Sequence, residues 1–209
     1  MALKFPISLI GKRASSGGDG PFATSLYDGA DNLLVSLVGD IPDYWNDNDS
    51  PYNAQRLEIG TSCTSIGRNA FNFSVSLQGT LEIPDSVTYI GPGAFATCLN
   101  IGGDLILLEN LATIGFQAFR NLNIVDKIVL PKSLTDIGSR VFENCNDFTA
   151  LYTNVNTAAW TSTNALNATT SLNTIYVGPD VVGTYTSNFQ GGAGMTVLNW
   201  DNYPEPIPN

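Results

Sequence analysis

Apolar positions recur along this chain as an apolar-x-apolar triplet: Leu57-Glu58-Ile59, Leu81-Glu82-Ile83, Leu105-Ile106-Leu107 and Ile128-Val129-Leu130, at steps of 24, 24 and 23 residues. A period-two triplet predicts a short strand with its first and third side chains turned inward and its middle one outward. Nine residues after each triplet begins comes an Ile-Gly pair, at Ile66-Gly67, Ile90-Gly91, Ile114-Gly115 and Ile137-Gly138. Four residues past each Ile stands a small-then-aromatic pair: Ala70-Phe71, Ala94-Phe95, Ala118-Phe119 and Val141-Phe142. Three features sharing one period are the signature of a repeat architecture.

Each repeat reads as one coil of a solenoid. A second extended run, such as Val87-Thr88-Tyr89-Ile90, returns Val87 and Ile90 to the core. The Ile-Gly glycines are expected to release strain at a tight corner. Pro84 and Pro131 follow the triplets and end their strands, since Pro cannot donate to a ladder. The recurring Phe should then stack ring on ring, because one coil alone cannot bury these groups and a stack at about 4.8 Å can.

The triplet continues where the other marks fade. Counting back reaches Leu33-Leu34-Val35, and counting forward reaches Leu151-Tyr152-Thr153, Ile175-Tyr176-Val177 and, weakly, Val197-Leu198-Asn199. The predicted organisation is an N-terminal extension over 1–32, a solenoid over 33–199 with its best repeats at 56–150, and a Pro-rich tail over 200–209. Degenerate end coils are expected, because terminal coils must cover the open core.

The stretch Ile83-Pro84-Asp85-Ser86-Val87-Thr88-Tyr89-Ile90-Gly91-Pro92-Gly93-Ala94-Phe95-Ala96-Thr97-Cys98 resembles the BspA-like leucine-rich repeat. So do Leu130-Pro131-Lys132-Ser133-Leu134-Thr135-Asp136-Ile137-Gly138 and the closing Phe142-Glu143-Asn144-Cys145. The resemblance implies a mainly β, right-handed leucine-rich-repeat-type solenoid of about 23–24-residue coils, with a parallel sheet and degenerate caps. It also implies adhesion or surface interaction, as the family shows in bacteria, protists and some phages. No catalytic residue carries over from it.

Composition narrows the chemistry. Charged residues are 13% of the 209, with nine Lys+Arg against 19 Asp+Glu and a net charge of −10. Neutralising phosphates needs clustered cations, so a nucleic-acid partner is not expected. The chain has no histidine, which removes the Ser-His-Asp and Cys-His arrangements and the usual zinc sites. No apolar run reaches the roughly 18 residues of a membrane span. The first ten residues are too short and too Pro-interrupted for a secretory core, and a membrane partner is not expected. Cys98 and Cys145 hold the same repeat position two coils apart, about 9.6 Å, beyond disulfide reach. Cys63 aligns with the core positions Val87, Leu111 and Leu134, so three buried thiols are expected. The acidic loop Asp43–Ser50 lacks the Gly and closing Glu of an EF-hand and reads as a solvated cap loop, with a calcium site as the lesser alternative. No cofactor and no metal are expected.

The candidate binding surface is the outward column Leu34, Glu58, Glu82, Ile106, Val129, Tyr152 and Tyr176. Five of these seven are apolar or aromatic, where a solvated face prefers polar residues. The competing reading is a neighbouring segment, such as residues 1–30 folded back, lying over that face. The functional expectation is a non-enzymatic structural and recognition protein, oligomeric in its assembly, most simply a phage virion component such as a tail-fibre, appendage or capsid-decoration subunit. Its expected partners are other virion or surface proteins, met through both tails, and a host glycan or host surface protein. A bacterial cell-surface adhesin is the alternative. A polysaccharide-degrading solenoid using Glu58 and Glu82 on adjacent coils is the remote one.

Overall fold

The computed structural model describes residues 23–46, 52–160, 164–166, 168–178 and 196–199. The expectations for residues 1–22 and 200–209, and for residues 47–50 of the acidic loop, lie outside these. The fold is mainly β with almost no helix, a β-solenoid of about 5 turns set about 23 residues apart.

Two parallel sheets run along the stack. The first joins β4 (Ser65–Ile66), β6 (Tyr89–Ile90), β8 (Thr113–Ile114) and β10 (Asp136–Ile137) in the order β10-β8-β6-β4. Its register puts Ile66, Ile90, Ile114 and Ile137 directly above one another, all fully buried. Isolated bridges extend this column to Ile41 at one end and Trp160 at the other. The Ile-Gly marks therefore understate the array, because the end coils keep the backbone pairing after losing the motif.

The second sheet has the order β13-β12-β11-β9-β7-β5, from β5 (Gly79–Thr80), β7 (Ile101–Ile106), β9 (Asn123–Leu130), β11 (Ala150–Thr153), β12 (Thr174–Val177) and β13 (Thr196–Asn199). Ile106, Val129, Tyr152, Tyr176 and Leu198 fall in one register column, as the triplets predicted. Leu81 and Ile83 are buried, but β5 has already ended at Thr80, so this triplet packs inward without a ladder strand.

A third ladder closes each coil. The N–H groups of Asn69, Phe71 and Phe73 donate to the carbonyls of Pro92, Ala94 and Ala96 of the next coil at 2.8–2.9 Å. Gly93, Phe95 and Thr97 do the same to Phe116, Ala118 and Arg120. This pairing requires left-handed backbone, found in one column at Tyr44, Asn69, Gly93, Gln117 and Arg140 and in another at Phe73, Thr97, Asn121, Asn144 and Ala168. Asn and Gly tolerate that region, whereas a bulky side chain costs about 1–2 kcal/mol there.

The Ile-Gly glycines have a different reason from the expected one. None of Gly67, Gly91, Gly115 and Gly138 has positive φ. A Cβ on Gly91 would instead lie 2.7 Å from the Gly67 carbonyl carbon, and one on Gly138 would lie 2.6 Å from the Phe116 nitrogen. These glycines let successive coils approach backbone to backbone.

The core holds the predicted aromatic spine. Phe71, Phe95, Phe119 and Phe142 are fully buried, with ring centroids 5.2, 5.8 and 5.7 Å apart and planes within 11° of parallel. Trp45 ends the stack edge-on against Phe71 at 5.8 Å. Cys63, Cys98 and Cys145 are buried free thiols.

The N-terminal end corrects the repeat count. Leu33-Leu34-Val35 is not a coil of the parallel ladder: it belongs to β2 (Leu33–Val38), which pairs antiparallel with β1 (Ala23–Tyr27). On its other side β1 pairs antiparallel with β3 (Arg56–Glu58), giving a three-stranded sheet of order β2-β1-β3. The expected boundary between 32 and 33 thus falls inside a hairpin. Asp28 closes its turn, accepting bonds from the Ala30 and Asn32 amides at 2.9 Å.

Candidate interaction surface

The seven residues expected to form one outward column divide into three groups. Ile106, Val129, Tyr152 and Tyr176 do share a face, on β7, β9, β11 and β12. The middle of that face is not open: Val129 is 7% exposed and Tyr152 4%. The Tyr152 and Tyr176 rings stack at 4.7 Å with planes 3° apart. Of the two readings of this face, an open stripe fails at Val129 and Tyr152, because side chains buried to that degree are packing groups.

Glu58 sits elsewhere, on β3 of the antiparallel sheet. Its Oε2 accepts from the Tyr27 hydroxyl at 2.8 Å, and its Oε1 is ion-paired with Arg56. The same guanidinium donates from Nε to Asp31 at 2.8 Å and lies 3.7 Å from the centroid of the Tyr27 ring. Burial, and then the bond to Glu58, raises the Tyr27 hydroxyl above its ordinary range. Glu82 is exposed and follows β5, which pairs with β7 and not with β3. The ladder that would set Glu58 beside Glu82 is therefore not formed, and Glu58 is occupied as a structural acceptor. Leu34 is exposed on β2, away from the column.

Glu143 is the buried carboxylate of the array, held by Arg120 at 3.2 Å, Arg140 at 3.7 Å and the Gln117 amide at 3.0 Å. Arg140 belongs to its own coil and Gln117 and Arg120 to the preceding one, so Glu143 ties two coils together. Among the described residues no cluster of three or more His, Cys, Asp or Glu could hold a metal ion, and no helix is long and apolar enough to cross a membrane.

One apolar surface escaped the periodicity reading, and a second was read onto the wrong sheet. Phe73 and Val75 on one coil and Leu99 on the next are exposed large side chains at a single corner. Val75 and Leu99 hold the same repeat position, and Asn100 bonds back to the Val75 carbonyl at 2.7 Å. The available signal was a departure from the repeat: the coils that follow carry Thr97 or Asn121 where Phe73 stands, and Asn123 where Val75 and Leu99 stand. The second surface is β2, where Leu33, Leu34 and Val38 are exposed.

No curated protein matches the chain. Two solved structures are similar to it: a leucine-rich repeat protein from Bacteroides ovatus, 19% identical over 68% of this chain and 55% of that one, with a TM-score of 0.30, and a leucine rich cell surface protein from Faecalibacterium prausnitzii, 16% identical over 67% and 48%, with a TM-score of 0.31. The chain spans about half the length of each. The model of the BspA type leucine rich repeat region matches residues 49–173 and 103–200, in 6 copies. With most of its length matched, and with its coils stacked in register as that repeat requires, this chain belongs to the BspA-type leucine-rich repeat family.

Proposed function

We propose that this leucine-rich repeat protein is a non-enzymatic structural and recognition subunit of a larger assembly, and that the assembly is a phage virion. There it serves as a tail-fibre, appendage or capsid-decoration subunit. The observation that carries the reading is how each coil uses its side chains. The repeat residues are spent on stacking, Glu58 and Glu143 are engaged by Arg, Tyr and Gln partners, and apolar groups are left outward at Phe73, Val75 and Leu99. Exposed apolar groups on a rigid scaffold suit recognition of a partner surface. A bacterial cell-surface adhesin is the second reading, favoured by the surface association of the repeat family.

An antibody against the chain separates these readings. Immunogold labelling of density-purified phage particles supports the virion assignment, and labelling of intact uninfected cells supports the adhesin. A chain found on neither defeats both. Val75→Asp with Leu99→Asp should leave the melting temperature within about 2 °C, since exposed substitutions cost little, and should abolish incorporation or attachment. Normal attachment by that variant removes the corner from the proposal. Release of reducing ends from host glycans would restore the enzymatic alternative.

A further inference from the structure

Charge is shared unevenly among the faces of this acidic solenoid. Asp40 and Asp136 stand at the first sheet, and at the turns between the two parallel sheets Asp85 and Glu109 are set against Lys132. Along the second sheet Glu82 and Asp104 outnumber Lys127. The third ladder reverses the balance. It carries Arg68, Arg120 and Arg140, three of the four arginines among the described residues, against the carboxylates of Asp43 and Glu143.

Two of these arginines form a compact cluster on successive coils. Gln117 and Arg120 come from one coil and Arg140 from the next, all around the buried Glu143 carboxylate. Neither guanidinium is hydrogen-bonded to it. Arg140 stands 3.7 Å away, beyond reach, and the Arg120 Nε, at 3.2 Å, lies off the line that a hydrogen bond requires. Attraction to the carboxylate therefore positions both side chains while their N–H donors stay unspent among the described residues. The Arg120 side chain is 36% exposed and that of Arg140 46%, so these donors open outward. Two cations against one carboxylate leave an excess positive charge, and guanidinium forks match a second carboxylate in both charge and shape.

Side chains and not backbone do the recognising on this face. The N–H groups of Gln117, Phe119 and Asn121 already donate to the carbonyls of Ser139, Val141 and Glu143 at 2.9–3.1 Å, so an added peptide strand finds no open ladder. Phe116, next to Gln117, is 46% exposed, and Asn121, Ser139 and Asn144 border the cluster on the same two coils. An exposed ring takes the C–H face of a pyranose, and amides and hydroxyls suit its hydroxyl groups. The geometry points to an acidic-sugar site: a carboxylate-bearing oligosaccharide, with its carboxylate at Arg120 and Arg140 and a sugar ring on Phe116. Coils about 4.8 Å apart put these groups within reach of one short oligosaccharide. The site rests on the recognition role proposed above and names its ligand class.

Binding of the purified full chain to an array that pairs uronic-acid and sialic-acid oligosaccharides with their methyl esters tests this. At least one acidic member should bind about tenfold more tightly than its ester, which keeps the rings and hydroxyls and loses only the charge. Arg140→Gln and Phe116→Ala should each weaken binding to that member by about tenfold or more. Both leave the Arg120–Glu143 pair in place, so the melting temperature should move by no more than about 2 °C. Val75→Asp with Leu99→Asp should bind the sugar as the unaltered chain does, which separates this site from the apolar corner. Equal binding of acids and esters across the array, or full binding by Arg140→Gln, overturns the proposal. Either result leaves the virion assignment standing, because that rests on particle labelling.

Discussion

The Cys98 thiol donates to the main-chain oxygen of Phe71, 2.9 Å away and one coil earlier. Cys145 repeats the contact with Phe119 at 3.1 Å. The cysteines thus act as small buried donors that satisfy carbonyls at the foot of the phenylalanine stack, which explains a thiol at this position better than redox chemistry does.

Burial pushes the Cys145 thiol from its ordinary value of 9.0 up to about 12. Above pH 9 the unfolded chain loses this proton while the folded chain keeps it, so stability is fully present below that pH and falls as pH rises toward 12. The expected loss is on the order of 3–4 kcal/mol across the window. Urea unfolding at a series of alkaline pH values, for the unaltered chain and for Cys145→Ala, reads it as a difference in slope. Parallel slopes in the two proteins would refute the assignment.

The spine gives a second expectation. Phe95 is fully buried between two parallel rings, and Phe95→Ala should cost about 3–5 kcal/mol as a core truncation. A denaturant midpoint corresponding to less than about 1 kcal/mol would mean that the stack adds little to stability.

Coil approach gives a third. A Cβ on Gly91 meets the Gly67 carbonyl carbon at 2.7 Å and the Arg68 nitrogen at 2.8 Å. Backbone atoms cannot rotate away as a side-chain end can, so Gly91→Ala should destabilise by about 1–3 kcal/mol or more. The cost comes from crowding and not from an unfavourable φ, and a neutral Gly91→Ala in thermal unfolding would show that the coils can separate freely.

Left-handed backbone gives a fourth, of opposite sign. Phe73 is an exposed aromatic at φ 55 in a column that Asn121 and Asn144 share. Phe73→Asn should raise stability by about 1 kcal/mol, because Asn is better tolerated there. The same variant should weaken attachment if the Phe73 corner is the recognition surface, so stability and binding should move in opposite directions. A loss of stability would mean that the ring packs more than its exposure indicates.

The outward sheet face gives a fifth. Tyr152→Ala should cost about 3 kcal/mol or more, as removal of a buried aromatic does, whereas Tyr89→Ala, at an exposed position of the other sheet, should fall within about 0.5 kcal/mol. Equal small effects in chemical denaturation would mark Tyr152 as a free surface residue after all.

Much of the fold was legible because a stacked repeat writes its contacts locally. Ile90 meets Ile66 and Ile114, and Phe95 meets Phe71 and Phe119, so the period in the chain is the neighbour relation in space. The candidate surface was less legible. Period two says that Tyr152 points to the opposite face from Leu151, and the two do alternate in register with β12. It cannot say whether that opposite face is covered, since covering depends on elements with no place in the repeat.

By itself, the sequence determined the repeat length, the inward columns, the aromatic spine and the burial of the three thiols. Each follows from residues one period apart, which one coil cannot bury and two stacked coils can. The tertiary structure alone decided three other matters. Leu33–Val38 joins an antiparallel hairpin and not a coil, because β1 takes the place beside β3 that the preceding coil would have filled. Glu58 is tied to Tyr27 and Arg56 and not set against Glu82. The Ile-Gly glycines serve backbone approach between coils and not a strained turn. All three depend on which backbones come within about 5 Å of each other, and a linear pattern carries that information only where it repeats.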